Sequence, residues 1–150
     1  MSRTFTHLVT HIVFSTKDRK PLISSEMKPE MHAYLGSLIR ELKGKTYGIN
    51  GMADHVHMLV ELPADISMSD ALRFLKANSS RWAGEKWQQR RSFAWQLGYG
   101  AFSISKSHIP AVLSYIHNQE RHHRKMTFQE EFIRFLKKYE IEYDERYIWK

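Results

Sequence analysis

Two histidines one residue apart, His55 and His57, are the first side chains in this sequence whose types and spacing could do chemistry. They lie in Asp54-His55-Val56-His57-Met58-Leu59-Val60-Glu61. In an extended strand alternate side chains share a face, so both imidazoles stand together with Leu59 and Glu61, while Val56, Met58, Val60 and Leu62 take the other, wholly apolar face. That apolar face is the natural core side, which leaves the histidines on the open one. Two neighbouring imidazoles on a rigid strand form a two-nitrogen platform for a metal ion, although a pair of ordinary surface histidines fits the same spacing. Further along, Tyr115 and Gln119 are four residues apart and share a helical face, with His122 in the next turn on the same side. A phenol and an amide oxygen would thus approach together. A tyrosine at helical spacing is commonly a core side chain; here Leu113 and Ile116 already supply packing, and Tyr115 falls with Gln119 and His122. A free phenol is only about 0.1% phenolate at neutral pH. A tyrosine nucleophile therefore needs positive charge beside it, and a divalent cation supplies that charge.

The elements that must position these groups are legible in the hydrophobic pattern. Residues 4–16 are rich in β-branched and aromatic side chains on both alternating faces, which predicts a central strand. Met27, Met31, Tyr34, Leu35, Leu38, Ile39 and Leu42 recur every three or four positions and predict an amphipathic helix over 25–42, ended by Gly44. Residues 45–52 and 55–62 read as a strand pair joined across Ala53-Asp54 and closed by Pro63. Ser67 or Ser69 caps a second helix reaching Trp87, and 93–105 reads as a fourth strand interrupted by Gly98-Tyr99-Gly100. Pro110 in a first turn places the tyrosine-bearing helix at about 108–122. Thr127 opens a C-terminal helix at about 127–139, whose stripe Phe128, Phe132, Phe135 and Leu136 must pack on something. The order strand, helix, strand, strand, helix, strand predicts an α+β, ferredoxin-like (split βαβ) antiparallel sheet with helices on one face, followed by C-terminal helices. At 150 residues the chain fits one domain, 1–150.

Composition narrows the functional classes. A hydrophobic content of 42%, with 13% aromatic residues, excludes a disordered chain, and the lack of cysteine excludes disulfides and thiolate metal sites. No apolar run is long enough for a bilayer and the N-terminus carries no export pattern, so a cytoplasmic protein without membrane attachment is expected. Twenty-three Lys and Arg against 16 Asp and Glu leave a net charge of +7, which favours an anionic partner. Basic residues interleave with Trp82, Trp87, Phe93 and Trp95, a mixture that suits phosphate neutralisation and base stacking. Arg73, Lys76, Asn78, Ser79, Ser80, Arg81 and Lys106 combine charge with hydrogen-bonding groups and are the expected nucleic-acid contacts; a solvated helix face accounts for any one of them as well. There is no phosphate-cradling glycine loop, so no nucleotide cofactor is expected.

Five segments carry a resemblance: THLVTHIVFSTKDRKPLI (6–23), ADHVHMLVEL (53–62), LKANSSRW (75–82), GYGAFSIS (98–105) and YIHNQERHH (115–123). In these the chain resembles the HUH-type single-tyrosine transposases of small bacterial insertion sequences, including the tyrosine transposases associated with repetitive extragenic palindromes, over about residues 6–149. The resemblance implies that Tyr115 is the nucleophile and that His55, His57 and Gln119 ligate a metal, with His122, Asp54 and Glu61 as weaker candidates for that shell. It implies a DNA transposase that nicks and rejoins single-stranded DNA by metal-assisted transesterification through a 5′-phosphotyrosine, with no need for ATP. Mixed nitrogen and oxygen ligation with open positions admits Mg²⁺ or Mn²⁺. The implied partners are single-stranded DNA with hairpins at element ends and a second copy of the chain. In a homodimer the tyrosine would act in trans, whereas the palindrome-associated branch also admits a monomer. The aromatic tail, with Tyr143, Tyr147, Ile148 and Trp149, would be an intramolecular clasp or a subunit contact.

Two other classes compete. A non-catalytic single-stranded nucleic-acid-binding module of the same fold would use exposed aromatics on its central strands, where this chain offers histidines. A His-x-His hydrolase of small molecules calls for a barrel scaffold and a much longer chain.

Overall fold

The computed structural model describes residues 3–150; Met1 and Ser2, which the expected domain 1–150 includes, lie outside the described residues. Strands β1 (Val9–Ser15), β2 (Lys45–Met52), β3 (His55–Glu61) and β4 (Gly100–Ser103) form one antiparallel sheet in the order β2-β3-β1-β4. Helix α1 (Met27–Glu41) connects β1 to β2, and α2 (Met68–Lys86), capped by Ser67, follows β3. This is the ferredoxin-like α+β arrangement that the element order predicts.

Alternation along the two central strands decides what each face carries. Ile12 and Phe14 of β1 and Val56, Met58 and Val60 of β3 meet Met31, Leu35 and Ile39 of α1 and Leu72 and Leu75 of α2 in the main core. The opposite face therefore receives Val9, His11 and Val13 from β1 and His55, His57 and Leu59 from β3.

That second face is not open, which corrects the expectation for the histidines. Helix α3 (Ile109–His117), the short α4 (Gln119–His122) and α5 (Phe128–Lys138) lie over it. Val9, Leu59, Ile104 and Ile116 make one apolar cluster with α3, and Val13, Phe102, Phe128, Phe132 and Leu136 make another with α5. Both His55 and His57 are 0% exposed. The physical reason is the apolar stripe of α5, which is stable only against an apolar partner, and Val13 and Phe102 on this face provide one. A capping box between Thr127 and Glu130 starts α5. The tail acts as an intramolecular clasp: Tyr143, Ile148 and Trp149 join the α5 cluster, and Arg19 donates a hydrogen bond to the Trp149 carbonyl at 2.5 Å.

The fourth strand is shorter than the expected 93–105. Phe93 and Trp95 instead fill the main core, where the Trp95 indole N–H donates to Ser79 Oγ at 2.8 Å and Ser79 Oγ donates to the Leu75 carbonyl at 2.6 Å. Ser79 is thus fully buried and holds Trp95, a correction to its expected place among the nucleic-acid contacts. Ser79→Ala is expected to leave the buried indole N–H without an acceptor and to cost about 1–3 kcal/mol. A urea unfolding curve would show this as a lower midpoint, with the affinity for single-stranded DNA unchanged.

Candidate active site

Each imidazole of the His-x-His pair is held by its Nδ1 edge. His55 Nδ1 lies 2.7 Å from Asp54 Oδ1, and His57 Nδ1 lies 2.8 Å from Nε2 of His11 on the adjacent strand. The Nε2 edges are left to converge on a single oxygen, Glu131 Oε1, at 3.5 Å from His55 and 2.9 Å from His57. Fixing one ring nitrogen to aim the other is how proteins orient imidazole ligands. The β2–β3 turn that delivers His55 is tight: a Cβ on Gly51 would lie 2.2 Å from the His55 carbonyl oxygen.

Strand β2 also grips the helix that carries Tyr115. Asn50 Nδ2 donates to the carbonyls of Ile116 at 3.0 Å and His117 at 3.2 Å, satisfying orphan groups at the end of α3. Gly48 gives α3 room, since a Cβ there would come within 2.8 Å of Leu113 Cδ2. The helical path breaks at Asn118 and restarts as α4. Gln119 is buried just beyond the break, its Oε1 3.0 Å from His55 Nε2. The Tyr115 hydroxyl donates to Glu131 Oε2.

Glu131, 1% exposed on α5, is the centre of the arrangement. Its Oε1 accepts from His57 Nε2 and, at 3.1 Å, from His123 Nε2; its Oε2 receives the phenol of Tyr115 and lies 3.4 Å from Gln119 Nε2. His55, His57, His123 and Glu131 each offer one ligand atom, and these atoms lie within 4.8 Å of one another. Sequence reasoning missed Glu131, His123 and His11. For Glu131 a signal existed, because it stands inside the Phe128, Phe132, Phe135 stripe, and an acid on a buried helical face must find partners there. His11 shares its strand face with Val9 and Val13, which only the pairing of β1 with β3 turns into a position beside His57. His123 carries no such signal, since the break at Asn118 decides which of two adjacent histidines turns inward.

Of the weaker metal candidates, Asp54 orients His55 from outside the cluster. Glu61 accepts from the Tyr47 hydroxyl at 3.3 Å, beyond Leu59 from the histidine pair. His122 stacks on the Tyr115 ring with centroids 4.3 Å apart. Among the expected nucleic-acid contacts, Arg73 pairs with Asp70, Arg81 donates to Asn78, and Ser80 donates to the Ala77 carbonyl. Lys76 donates to the carbonyls of Gln96, Leu97 and Gly98, and burial lowers its pKa to about 8. All of these lie on α2, across the sheet from Tyr115, whereas Lys106 precedes α3 on the Tyr115 side.

The electrostatics follow from burial. Desolvation lowers His57 to about 4 against the opposing pull of Glu131, and lowers His11 to about 3 with help from His57. Both are neutral at pH 7, as ligation requires. Burial alone would raise Glu131; hydrogen bonds from His123 and His57 outweigh it and hold the carboxyl far below the usual range. Burial resists charge on His123 as well, yet its hydrogen bond to Glu131 raises it. Burial and the Glu131 charge push the Tyr115 phenol well above its ordinary value.

The donor set fits a divalent cation. His55 Nδ1 is engaged by Asp54, which leaves its Nε2 facing the Gln119 carbonyl oxygen, a contact that a cation between them would satisfy. The His55–Gln119 and His57–Glu131 pairs stand at 3.0 and 2.9 Å.

The family model described as "Transposase IS200 like" matches residues 4–119, a segment that holds both histidines, Tyr115 and Gln119 and stops short of His123 and Glu131. The chain belongs to the IS200-like transposase family. This transposase is 29% identical over 114 residues to the transposases for insertion sequence element IS200 of Salmonella typhimurium and Salmonella typhi, covering 73% of this chain and 74% of each relative. Its fold matches a solved structure from Deinococcus radiodurans assigned as a transposase, with a TM-score of 0.62, 21% identity, and 79% of this chain and 96% of that one covered. It also matches a REP-associated tyrosine transposase solved with a REP hairpin, with a TM-score of 0.57, 16% identity, and coverage of 79% and 72%. No helix among the described residues is long and apolar enough to cross a membrane.

Proposed function

We propose that this transposase cleaves and rejoins single-stranded DNA with Tyr115 as nucleophile, at a site where His55, His57, Gln119 and Glu131 hold Mg²⁺ or Mn²⁺. The observation that carries the reading is the convergence of both Nε2 atoms on Glu131 Oε1 while Oε2 of the same carboxylate receives the Tyr115 hydroxyl. A bound divalent cation supplies the positive charge that polarises a scissile phosphate and favours phenolate over phenol.

The remaining work falls to the chain's own side chains. Stacking by His122 and the anchoring of α3 by Asn50 hold the phenol in place. Attack by the Tyr115 oxygen forms a Tyr–O–P bond and breaks the bond from phosphorus to the 3′ oxygen. The phenol proton passes to the Glu131 oxygen that already accepts it, and the departing oxygen takes a proton from solvent to become a 3′-OH. Bond energy is kept in the phosphotyrosine, so a 3′-OH of another strand reverses the step without ATP. Tyr115 reaches the cluster within one chain, which supports a tyrosine acting in cis and a competent monomer. The hairpin bound by the structural relative supports hairpins at element ends as the substrate. A DNA-processing role supports a cytoplasmic location. The binding-module reading loses support from the fold, because helices cover both sheet faces and His55 and His57 are inaccessible for stacking on bases.

The test uses labelled single strands from both flanks of the coding region, incubated with Mg²⁺ or Mn²⁺. We expect a denaturation-resistant protein–DNA adduct with a free 3′-OH on the released strand, suppressed by a chelator by at least ~100-fold and restored by added metal. Strands that bind yet yield no adduct with either metal would defeat the proposal.

A further inference from the structure

We infer that the cleft beside Tyr115 is a nucleotide subsite, taking the base and sugar of the nucleotide immediately 3′ to the scissile phosphate, the one that becomes joined to the protein. The inference rests on the reading of Tyr115 as nucleophile. The cleft has a volume of about 730 Å³, and its neighbour across Met126 about 680 Å³. That is within the roughly 300–1,000 Å³ of sites that enclose small organic ligands. It opens between α3 and α5, and Tyr115 and Glu131 line its inner end.

Its walls suit a nucleobase. Val112 and Ile104 face Phe135 and Tyr139, and both of these rings stack on Phe102, at 5.4 and 4.7 Å between centroids. The aromatic wall is thereby fixed before any ligand arrives, and base stacking on such a wall is sequence-tolerant. The rim suits a phosphodiester. Arg134 and Lys138 line the cleft, are exposed, and have no carboxylate partner among the described residues. Lys138 Nζ also stands 5.5 Å over the Tyr139 ring. Flat apolar walls, cations without a carboxylate partner and a phenol at the inner end match the parts of one nucleotide: base, phosphate and scissile bond.

The geometry of displacement selects which nucleotide. In an in-line attack the leaving 3′ oxygen departs opposite the nucleophile, so the nucleotide on the 5′ side is carried away from Tyr115. The nucleotide on the 3′ side is attached through an oxygen that stays beside the new bond, and it remains next to the tyrosine. The neighbouring cleft, lined by Arg19, Asp54, His123 and Lys125, does not include Tyr115.

The probes are deoxynucleoside 5′-monophosphates, the matching 3′-monophosphates and deoxyribose 5-phosphate, titrated calorimetrically into the full chain with Mn²⁺ present. We expect the 5′-monophosphates to bind about tenfold or more tighter than deoxyribose 5-phosphate, within the range that base–aromatic stacking supplies, and tighter than the 3′-monophosphates. Ala111→Phe, which fills the cleft from an exposed position on α3, should remove that preference while leaving deoxyribose 5-phosphate affinity unchanged. Arg134→Gln, on the exposed side of α5, should weaken all the 5′-phosphates severalfold and serves if the first variant does not fold. Equal binding of the base-free sugar phosphate, a base preference that survives in folded Ala111→Phe, or 5′-phosphate affinities unchanged by Arg134→Gln would overturn the subsite. Adduct formation by an enzyme without nucleotide preference overturns the subsite alone. Preference without any adduct supports a base-binding cleft and overturns the role of Tyr115.

Discussion

Tyr115→Phe is expected to abolish the covalent DNA adduct, by more than about 10⁴-fold, with the affinity for single-stranded DNA kept within about twofold. The substitution deletes one oxygen and leaves the ring that His122 stacks on. Glu131 loses the hydrogen bond to its Oε2 but keeps His57 and His123 on Oε1, so the structural cost is about 1–2 kcal/mol. A folded variant with intact binding and no adduct separates chemistry from recognition, and circular dichroism together with gel-resolved adduct formation measures both. Persistent adduct in the folded variant would assign the nucleophile to another side chain and end the reading of this site.

Glu131→Gln has the next largest expected effect, on two independent quantities. In the metal-free protein it removes a buried anion that faces His57 and His123, and breaking such a pair costs about 3–5 kcal/mol. The pH dependence carries the signature. Glu131 has a folded-state pKa far below its unfolded value of 4.5, so its contribution is fully present above that value and is lost as pH falls. The gap between wild type and variant should therefore be fully present above about pH 4.5, begin to narrow below it and keep narrowing as the pH falls further. His57 and His11 give a separate trend in the wild type. Their folded pKa values, about 4 and about 3, lie below the unfolded 6.5, so the unfolded chain takes up protons first and stability declines from pH 6.5 downward. The second quantity is Mn²⁺ affinity, expected to fall by at least ~10-fold on loss of an anionic ligand. A variant that loses stability but binds Mn²⁺ as tightly as wild type would make Glu131 a structural anchor and remove it from the metal shell.

Much of this architecture is written in local pattern. The period of Met27 to Leu42, the Ser67 and Thr127 caps and the alternation through His55 and His57 each depend on residues a few positions apart, so the chain's own periodicity determines them. The i, i+4 relation of Tyr115 and Gln119 is of the same kind, and it survives the break at Asn118 well enough to bring both to one site. Tertiary structure alone decided what covers the histidine face, because the stripe of α5 states that it must be buried and not against which surface. It also decided the site's central carboxylate. His57 and Glu131 are separated by 74 residues, so no spacing rule relates them, and their meeting depends on β3 and α5 packing face to face. The same packing turns His123 inward, leaves His122 on the tyrosine ring and puts α2 with its basic residues across the sheet. Which side chains alternate or repeat is a property of backbone geometry, whereas which buried charge meets which imidazole is settled only when distant apolar faces find each other.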